Sequence, residues 1–348
     1  MGKVEKTHVS YLCRARYSDF VSSDSLDFSY LCSEGSRGSY LAALTGVACA
    51  LQAVHSVVSG DSVTAFCAIR PPGHHAGREL RAMNAVSNGF CVLNNAACAA
   101  LFAATAVAEG GKGLKRVCVI DFDVHHGNGT QDILCATYDP RFLYVSLHAG
   151  GAHINGYAPE GDDQAEIDFR RGLPGGGKQD GIYPGRCGDT SPHSGVLNIP
   201  LGQKVTPHAI GTALITEVQP AVEKFAPELI ILSAGFDAHK NDPLGMGGLS
   251  AEDFGSVTEV ACHMALKSCS GRVVSVMEGG YGVPCCQQAQ KNFVPARYLD
   301  LGDEMPDGMK DDVTEELAKK LERCHQEGFL ECVKEHVGAL SRCSKRRK

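Results

Sequence analysis

The chain has 348 residues, 43% hydrophobic and 21% charged, with a formal net charge of −7. This length and apolar content allow one large hydrophobic core. The acidic balance, the absence of tryptophan and an aromatic content of 7% argue against a basic, base-stacking surface. We therefore expect no direct nucleic-acid partner.

Several of the sixteen cysteines stand singly inside apolar runs, as Cys67, Cys118 and Cys262 do, and no pair has the CxxC spacing of a zinc knuckle. We interpret them as reduced thiols, which are typical of a cytosolic or nuclear protein. The N-terminus lacks the apolar core of a signal peptide, and no run approaches a membrane span. The expected location is nuclear or cytoplasmic, without a membrane partner.

Six apolar runs of strand length alternate with helix-like segments along the chain. The strand-like runs are 63–69, 116–122, 142–148, 194–201, 228–236 and 272–280. The helix-like segments are 39–59, 94–110, 207–225 and 250–269. Several runs are continuous in Val, Ile and Leu, which is typical of parallel strands covered on both faces. The pattern predicts a three-layer α/β domain with a central, mainly parallel sheet.

The predicted domain covers residues 1–300, and residues 301–348 are expected to form a helical extension with a basic tail. The stretch 150–195 is rich in Gly, Pro and Asp and is too long for an ordinary connection. Insertions of this kind are usually functional or disordered. A capping box at Ser250 and Asp253 marks the start of one helix.

Polar and ionisable residues follow five of the six predicted strands. They are His74 and His75; Asp121, Asp123, His125 and His126; His148; Asp237; and Tyr281. The carboxyl ends of parallel strands meet at one edge, where α/β proteins bind their ligands. A lone Asp or a histidine pair at a strand end is usually structural, but five converging strand ends favour a functional site.

The spacing in "DFDVHHG" suggests how this site is built. Asp121, Asp123 and His125 are two residues apart, so an extended backbone directs their side chains the same way. Asp123, His125 and Asp237 then offer oxygen, nitrogen and oxygen ligands to a divalent cation. Three protein ligands and one open position are typical of catalytic zinc, which lowers the pKa of its water to about 7.

Six sequence blocks resemble those of the zinc-dependent histone deacetylases and occur in the same order. They are "RPPGHHAG", "GFCVLNNAACAA", "VIDFDVHHGNGTQDIL", "YVSLHAG", "SAGFDAHKNDPLG" and "EGGYG". Details such as "HHGNGTQ" look more like the class II branch than class I. The resemblance implies the arginase/deacetylase fold and hydrolysis of the acetyl amide of N6-acetyl-lysine in histones or other proteins.

The resemblance also implies metal ligands. Asp123, His125 and Asp237 match the ligands of one zinc ion. A potassium site built largely of backbone oxygens matches Ser146 and Leu147 together with Asp121, Asp123 and His125.

The remaining catalytic roles follow from the same resemblance. His75 matches the general base on the water, and His74 matches its neighbour, held by Asp121 in one tautomer and in its protonated form. Asn128 stands where class I members carry a second Asp, and a neutral amide can orient His75 but not raise its pKa as a carboxylate would. Tyr281 matches the donor to the substrate carbonyl and its oxyanion.

The resemblance assigns substrate-binding positions less directly. Phe90, after Gly89, matches one wall of the tunnel for the lysine stem, and Tyr183 is taken as the facing wall. Asp27 is the nearest match to the acidic residue of the rim. The family normally begins with a further strand and helix before "THVSYL", so an N-terminal element is expected to be missing.

Three alternatives remain open from the residues. A dinuclear manganese ureohydrolase needs more bridging carboxylates than this set provides and has no obvious use for Tyr281. A catalytically weak scaffold would be expected to lose Tyr281 or a metal ligand. An acetylpolyamine amidohydrolase would use the same active-site residues. For a histone deacetylase, the expected partners are acetylated histone tails, other acetyl-lysine proteins and corepressor complexes in transcription regulation.

Overall fold

The computed structural model describes residues 37–78, 80–82, 85, 88–135, 138–150, 184, 195–242, 244–245, 247–282 and 310–346. Asp27, Tyr183 and nearly all of the predicted 150–195 insertion lie outside this part of the chain.

The strands form one large and one small sheet. In chain order they are β1 Thr64–Cys67, β2 Ala76–Gly77, β3 Leu80–Arg81, β4 Val117–Asp121, β5 Phe142–His148, β6 Val196–Pro200, β7 Leu229–Ala234 and β8 Val273–Met277. The large sheet has six strands in the order β1-β8-β7-β4-β5-β6, all parallel. The prediction of a central parallel sheet is confirmed.

Alternation along the central strands builds a hydrophobic core on each face of this sheet. In β7, Ile230 and Leu232 belong to one buried cluster, whereas Leu229 and Ile231 belong to the other. Successive side chains of a strand point to opposite faces, so a strand covered on both sides needs apolar residues throughout. This explains the continuous aliphatic runs.

Seven α-helices are described around the sheet. They are α1 Arg37–Ser59, α2 Asn95–Ala104, α3 Asn128–Cys135, α4 Pro207–Ala213, α5 Gln219–Phe225, α6 Ala251–Cys269 and α7 Lys310–Arg346. The predicted helix 207–225 is interrupted by a π-helical turn at Leu214–Val218. Pro220, in the first turn of α5, has no N–H to donate, which accounts for the local change in hydrogen bonding.

The capping box predicted for α6 is present. The carboxylate of Asp253 accepts hydrogen bonds from the N–H of Ser250 at 2.8 Å and from its hydroxyl at 2.9 Å. These bonds fix the chain where it enters the helix.

The C-terminal helix α7 packs against α6 and contributes side chains to the main core, among them Cys332 and Leu340. His336 is fully buried. Its Nδ1 lies 2.7 Å from Thr258 Oγ1 and its Nε2 lies 2.8 Å from Ser275 Oγ. The boundary drawn at residue 300 stays a prediction, but this helix shares the core of the sheet.

Helix α1 contradicts the expectation that no run of the sequence approaches a membrane span. The stretch Tyr40–Ser59 of α1 is long and apolar enough to cross a membrane by length and composition, and 33% of it is buried in the fold. Its buried face, which includes Val47 and Val54, packs against α2 and β1. Helices that cover a sheet can therefore be as apolar as membrane spans.

Candidate active site

The site lies at the carboxyl edge of the large sheet, beyond β4, β7 and β8. The expectation of an extended backbone over residues 121–125 is wrong, because β4 ends at Asp121 and the chain then bends. Two local hydrogen bonds shape the bends. The N–H of Asp123 donates to Asp121 Oδ1 at 3.1 Å, and the N–H of His125 donates to Asp123 Oδ1 at 2.9 Å. Side-chain to backbone bonds of this kind therefore turn the chain here.

Asp123, His125 and Asp237 converge as the sequence suggested. One ligand atom from each lies within 4.8 Å of the others. Nδ1 of His125 is 3.1 Å from Asp123 Oδ1 and 2.9 Å from Asp237 Oδ2. Both carboxylates are buried. Burial, and then the neighbouring charge of Asp123, raise the pKa of Asp237. A cation bound between the two carboxylates would offset their mutual repulsion.

The surroundings fit a metal ion at this position. A Cβ on Gly279 would lie 2.3 Å from Asp237 Oδ2 and 2.5 Å from Asp123 Oδ2, and a Cβ on Gly235 would lie 2.1 Å from Asp123 Oδ2. Glycine at these two positions is therefore needed for the close approach of the carboxylates. Two carboxylate oxygens and one imidazole nitrogen form a donor set suited to zinc.

The two tandem histidines differ in charge. His74 Nδ1 lies 3.1 Å from Asp121 Oδ2, an oxygen that also lies 3.1 Å from the Tyr144 hydroxyl. Burial opposes a charged imidazole at His74, but the carboxylates of Asp123 and Asp121 outweigh it and raise its pKa to about 10. His74 is therefore an imidazolium near neutral pH.

His75, by contrast, is held as a neutral imidazole. Burial, and then the positive charge of the neighbouring His74, hold the pKa of His75 well below the ordinary value. Its Nδ1 lies 2.7 Å from Asn128 Oδ1, and Asn128 Nδ2 donates to the carbonyl of Ala82 at 3.0 Å. This second bond fixes the amide so that Oδ1 accepts from Nδ1–H. Nε2 is thus the basic nitrogen of His75.

Glu278 was missed as a site residue in the sequence. It is buried, and its Oε2 accepts hydrogen bonds from the N–H groups of Gly73 at 2.7 Å and His74 at 3.1 Å. Ser233 Oγ donates to its other oxygen at 3.1 Å. Glu278 thereby ties the histidine loop to β7 and β8. A glutamate directly before "GGYG" at a predicted strand end was the signal for it.

Tyr281 lies at the same edge, on the turn after β8. It is largely buried, and burial followed by the charges of Asp237 and Asp123 holds its pKa well above the ordinary value. Its phenol therefore keeps its proton. The ring of Phe90 lies 5.5 Å from the Tyr281 ring between centroids, and Phe90 follows Gly89 with a φ of 65°. The structure thus brings the predicted tunnel wall beside the predicted donor.

Two histidines expected at this edge belong to a separate buried polar group. Nε2 of His126 lies 2.9 Å from Gln131 Oε1 and 3.1 Å from Asn198 Oδ1. Nδ1 of His148 lies 2.9 Å from Ser146 Oγ.

The roles predicted for Ser146, Leu147, Tyr183 and Asp27 stay predictions. Ser146 pairs with Asp121 across β5 and β4, and potassium binding there and at Leu147 stays a prediction. Tyr183 and Asp27 lie outside the described residues.

Fold and site together define the class of protein. A parallel α/β sheet carries at its carboxyl edge a convergent Asp-His-Asp cluster, one histidine beside a carboxylate, a second beside an amide, and a largely buried tyrosine. Candidate metal ligands beside a candidate base and a hydrogen-bond donor are typical of enzymes that hydrolyse carbonyl compounds with the help of a metal ion.

Comparison with known proteins gives the family. The model of the histone deacetylase domain matches residues 8–297, and this chain belongs to that family of amide hydrolases. It is 38% identical over 277 residues, 80% of its length, to "Type-2 histone deacetylase 2" of Dictyostelium discoideum. It is 34% identical over 252 residues, 72% of its length, to the "Histone deacetylase-like amidohydrolase" of Pseudomonas aeruginosa.

These relatives are longer than the chain, which covers 15% of the first and 57% of the second. Among solved structures, the HD domain of HDA15 is similar, with a TM-score of 0.54 and 25% identity. That match covers 99% of this chain and 83% of the other.

Proposed function

We propose that this protein is a zinc-dependent deacetylase that hydrolyses the acetyl amide of N6-acetyl-lysine in histones or other proteins and releases acetate. The observation that carries the proposal is the contact of His74 with Asp121 and of His75 with Asn128, beside the Asp123, His125 and Asp237 cluster. The family places the chain among the amide hydrolases, and these side chains supply a base and an electrophilic partner for that reaction.

The metal would be held by Asp123, His125 and Asp237, and when bound it supplies Lewis acidity that polarises the amide carbonyl and acidifies water. Nε2 of His75 takes one proton from the attacking water and passes it to the leaving lysine nitrogen as the C–N bond breaks. Asn128 keeps the other ring nitrogen protonated, which holds His75 in the tautomer that can accept.

His74 and Tyr281 contribute electrostatically to the proposed reaction. The His74 imidazolium, paired with Asp121, keeps a positive charge beside His75 and so keeps the pKa of that base low. The Tyr281 hydroxyl donates a hydrogen bond to the carbonyl oxygen as it becomes an oxyanion, a contribution that grows toward the transition state.

The side chains near the reacting centre support a narrow, apolar approach for the substrate stem. Phe90 stands beside Tyr281, with Gly89 before it. Acetyl-lysine and acetylated polyamines both present an amide on such a stem, so these residues accept either. We propose acetyl-lysine proteins as the substrates because several similar proteins carry histone deacetylase names.

The test is acetate release from a panel of acetyl-lysine peptides and acetylpolyamines, with zinc measured on the same sample. We expect turnover of the peptides, one zinc per active chain, and loss of turnover in His75→Ala. Faster turnover of acetylpolyamines than of any peptide would contradict the substrate. A zinc-loaded protein inactive on both would instead indicate a scaffold.

A further inference from the structure

Tyr281 stands on a turn that glycine makes flexible. The two residues before it are Gly279 and Gly280, and Gly280 has a φ of 119°, which side chains with a Cβ rarely adopt. Glycine fixes neither dihedral by itself. The position of the Tyr281 hydroxyl must therefore be set by contacts from outside the turn.

One contact comes from Asp242, a buried carboxylate five positions beyond Asp237 in the chain. Its Oδ2 accepts the N–H of Tyr281 at 2.7 Å. Its Oδ1 accepts the N–H groups of Leu244 at 2.9 Å and Gly245 at 2.8 Å. Asp242 thus joins the loop that carries Asp237 to the turn that carries Tyr281.

The second contact comes from Arg70, which precedes the histidine loop. Its Nη1 donates to the carbonyl of Glu278 at 2.9 Å, and its Nη2 donates to the carbonyl of Gly280. The guanidinium carbon lies 5.4 Å from the centre of the Tyr281 ring. A planar cation that bonds two carbonyls and covers the ring restrains both the backbone and the side chain.

We propose that Asp242 and Arg70 are positioning residues for the Tyr281 hydroxyl. Asp242 holds the N–H of Tyr281 from one side, and Arg70 holds the carbonyls of the preceding turn from the other. The inference rests on the proposed function, because it assumes that Tyr281 donates to the oxyanion. A misplacement of about 1 Å at a reacting centre can cost about 100-fold in rate.

Asp242→Asn is a selective perturbation because the two carboxylate oxygens of Asp242 accept different numbers of N–H groups. Two N–H groups face Oδ1 and one faces Oδ2. The amide oxygen of asparagine is expected to take the place that serves Leu244 and Gly245, which leaves an NH2 group against the N–H of Tyr281. The size and the loop are kept, and the bond to Tyr281 becomes a repulsion.

Each variant has a matched control away from the site. Asp253→Asn changes a carboxylate that also accepts a backbone N–H, at the start of α6. Arg272→Gln removes a half-buried guanidinium whose Nη1 donates to the carbonyl of Glu228 at 2.9 Å. Arg70→Gln is its counterpart and is the second, independent variant should Asp242→Asn fold poorly.

The experiment measures kcat and KM on an acetyl-lysine peptide, with zinc content and Tm, for each variant in the wild-type and the Tyr281→Phe backgrounds. In the wild-type background we expect kcat to fall between about 10- and 100-fold, with KM and zinc nearly unchanged and the controls active. In the Tyr281→Phe background we expect less than about 2-fold further loss, because positioning acts only through the hydroxyl.

Three results would overturn the inference, and they are distinguishable. Wild-type kcat in both Asp242→Asn and Arg70→Gln would show that neither residue is needed to position the Tyr281 hydroxyl. Equal losses in the two backgrounds would show that they support the fold or the metal rather than the hydroxyl. Full turnover in Tyr281→Phe itself would instead remove the donor role on which the proposed function and this inference both depend.

Discussion

Replacing Asn128 by aspartate would place a carboxylate beside Nδ1 of His75, the proposed base. In the structure, Asn128 Oδ1 lies 2.7 Å from His75 Nδ1, so an isosteric carboxylate keeps the contact and adds only charge. Burial and the charge of His74 keep the pKa of His75 well below its ordinary value. The added charge in Asn128→Asp favours the protonated ring and is therefore expected to raise the pKa of His75.

The size of the effect follows from the hydrogen bond. A bond between neutral partners contributes about 1 kcal/mol, and one to a charged partner about 1.5 to 3 kcal/mol. The difference of about 0.5 to 2 kcal/mol favours the protonated ring, and one pKa unit is about 1.4 kcal/mol. We therefore expect the pKa of His75 to rise by about one unit.

The measurement is kcat/KM against pH, with equal zinc content in both proteins. His75 must be neutral to accept a proton, so a higher pKa leaves it protonated over more of the acid range, and the acidic limb moves upward by about one unit. Asn128→Ala is the matched variant: it removes the acceptor without adding charge, so the plateau falls while the limb does not rise.

An acidic limb that stays in place or moves down in Asn128→Asp would refute the reasoning. Either result would mean that His75 is not the titrating base in the free enzyme.

Three further outcomes are expected. Asp237→Ala should lose stoichiometric metal by elemental analysis, and undiminished zinc would overturn the ligand assignment. Tyr281→Phe should lower kcat by about 100-fold or more with little change in KM, whereas a loss within about two-fold would exclude Tyr281 as the donor. His336→Ala should lower the free energy of unfolding by about 2 to 4 kcal/mol in urea titration, because it opens a cavity and strips Thr258 and Ser275 of a buried partner. A change below about 0.5 kcal/mol would show that α7 is not anchored there.

Much of the fold is a local property of the sequence. Continuous aliphatic runs such as 228–236 mark strands covered on both faces, and the structure places Leu229–Ala234 there as a fully buried strand. The convergence of Asp123, His125 and Asp237 followed from the rule that parallel strands end at one edge. The bends over residues 121–125 could not be predicted in this way. Alternation of side chains assumes an extended backbone, and hydrogen bonds from backbone N–H groups to aspartate side chains bend the chain there instead.

The charges of His74 and His75 and the restraint on Tyr281 depend on tertiary structure. Two identical neighbours in "GHHA" differ because one faces Asp121 and the other faces Asn128.

Arg70 reaches the carbonyl of Gly280 across 210 positions, and Phe329 of α7 packs against that same glycine. Periodicity and motif spacing are set by neighbours along the chain and can be read from sequence. A pKa or a positioning contact is set by groups brought together only when the chain folds.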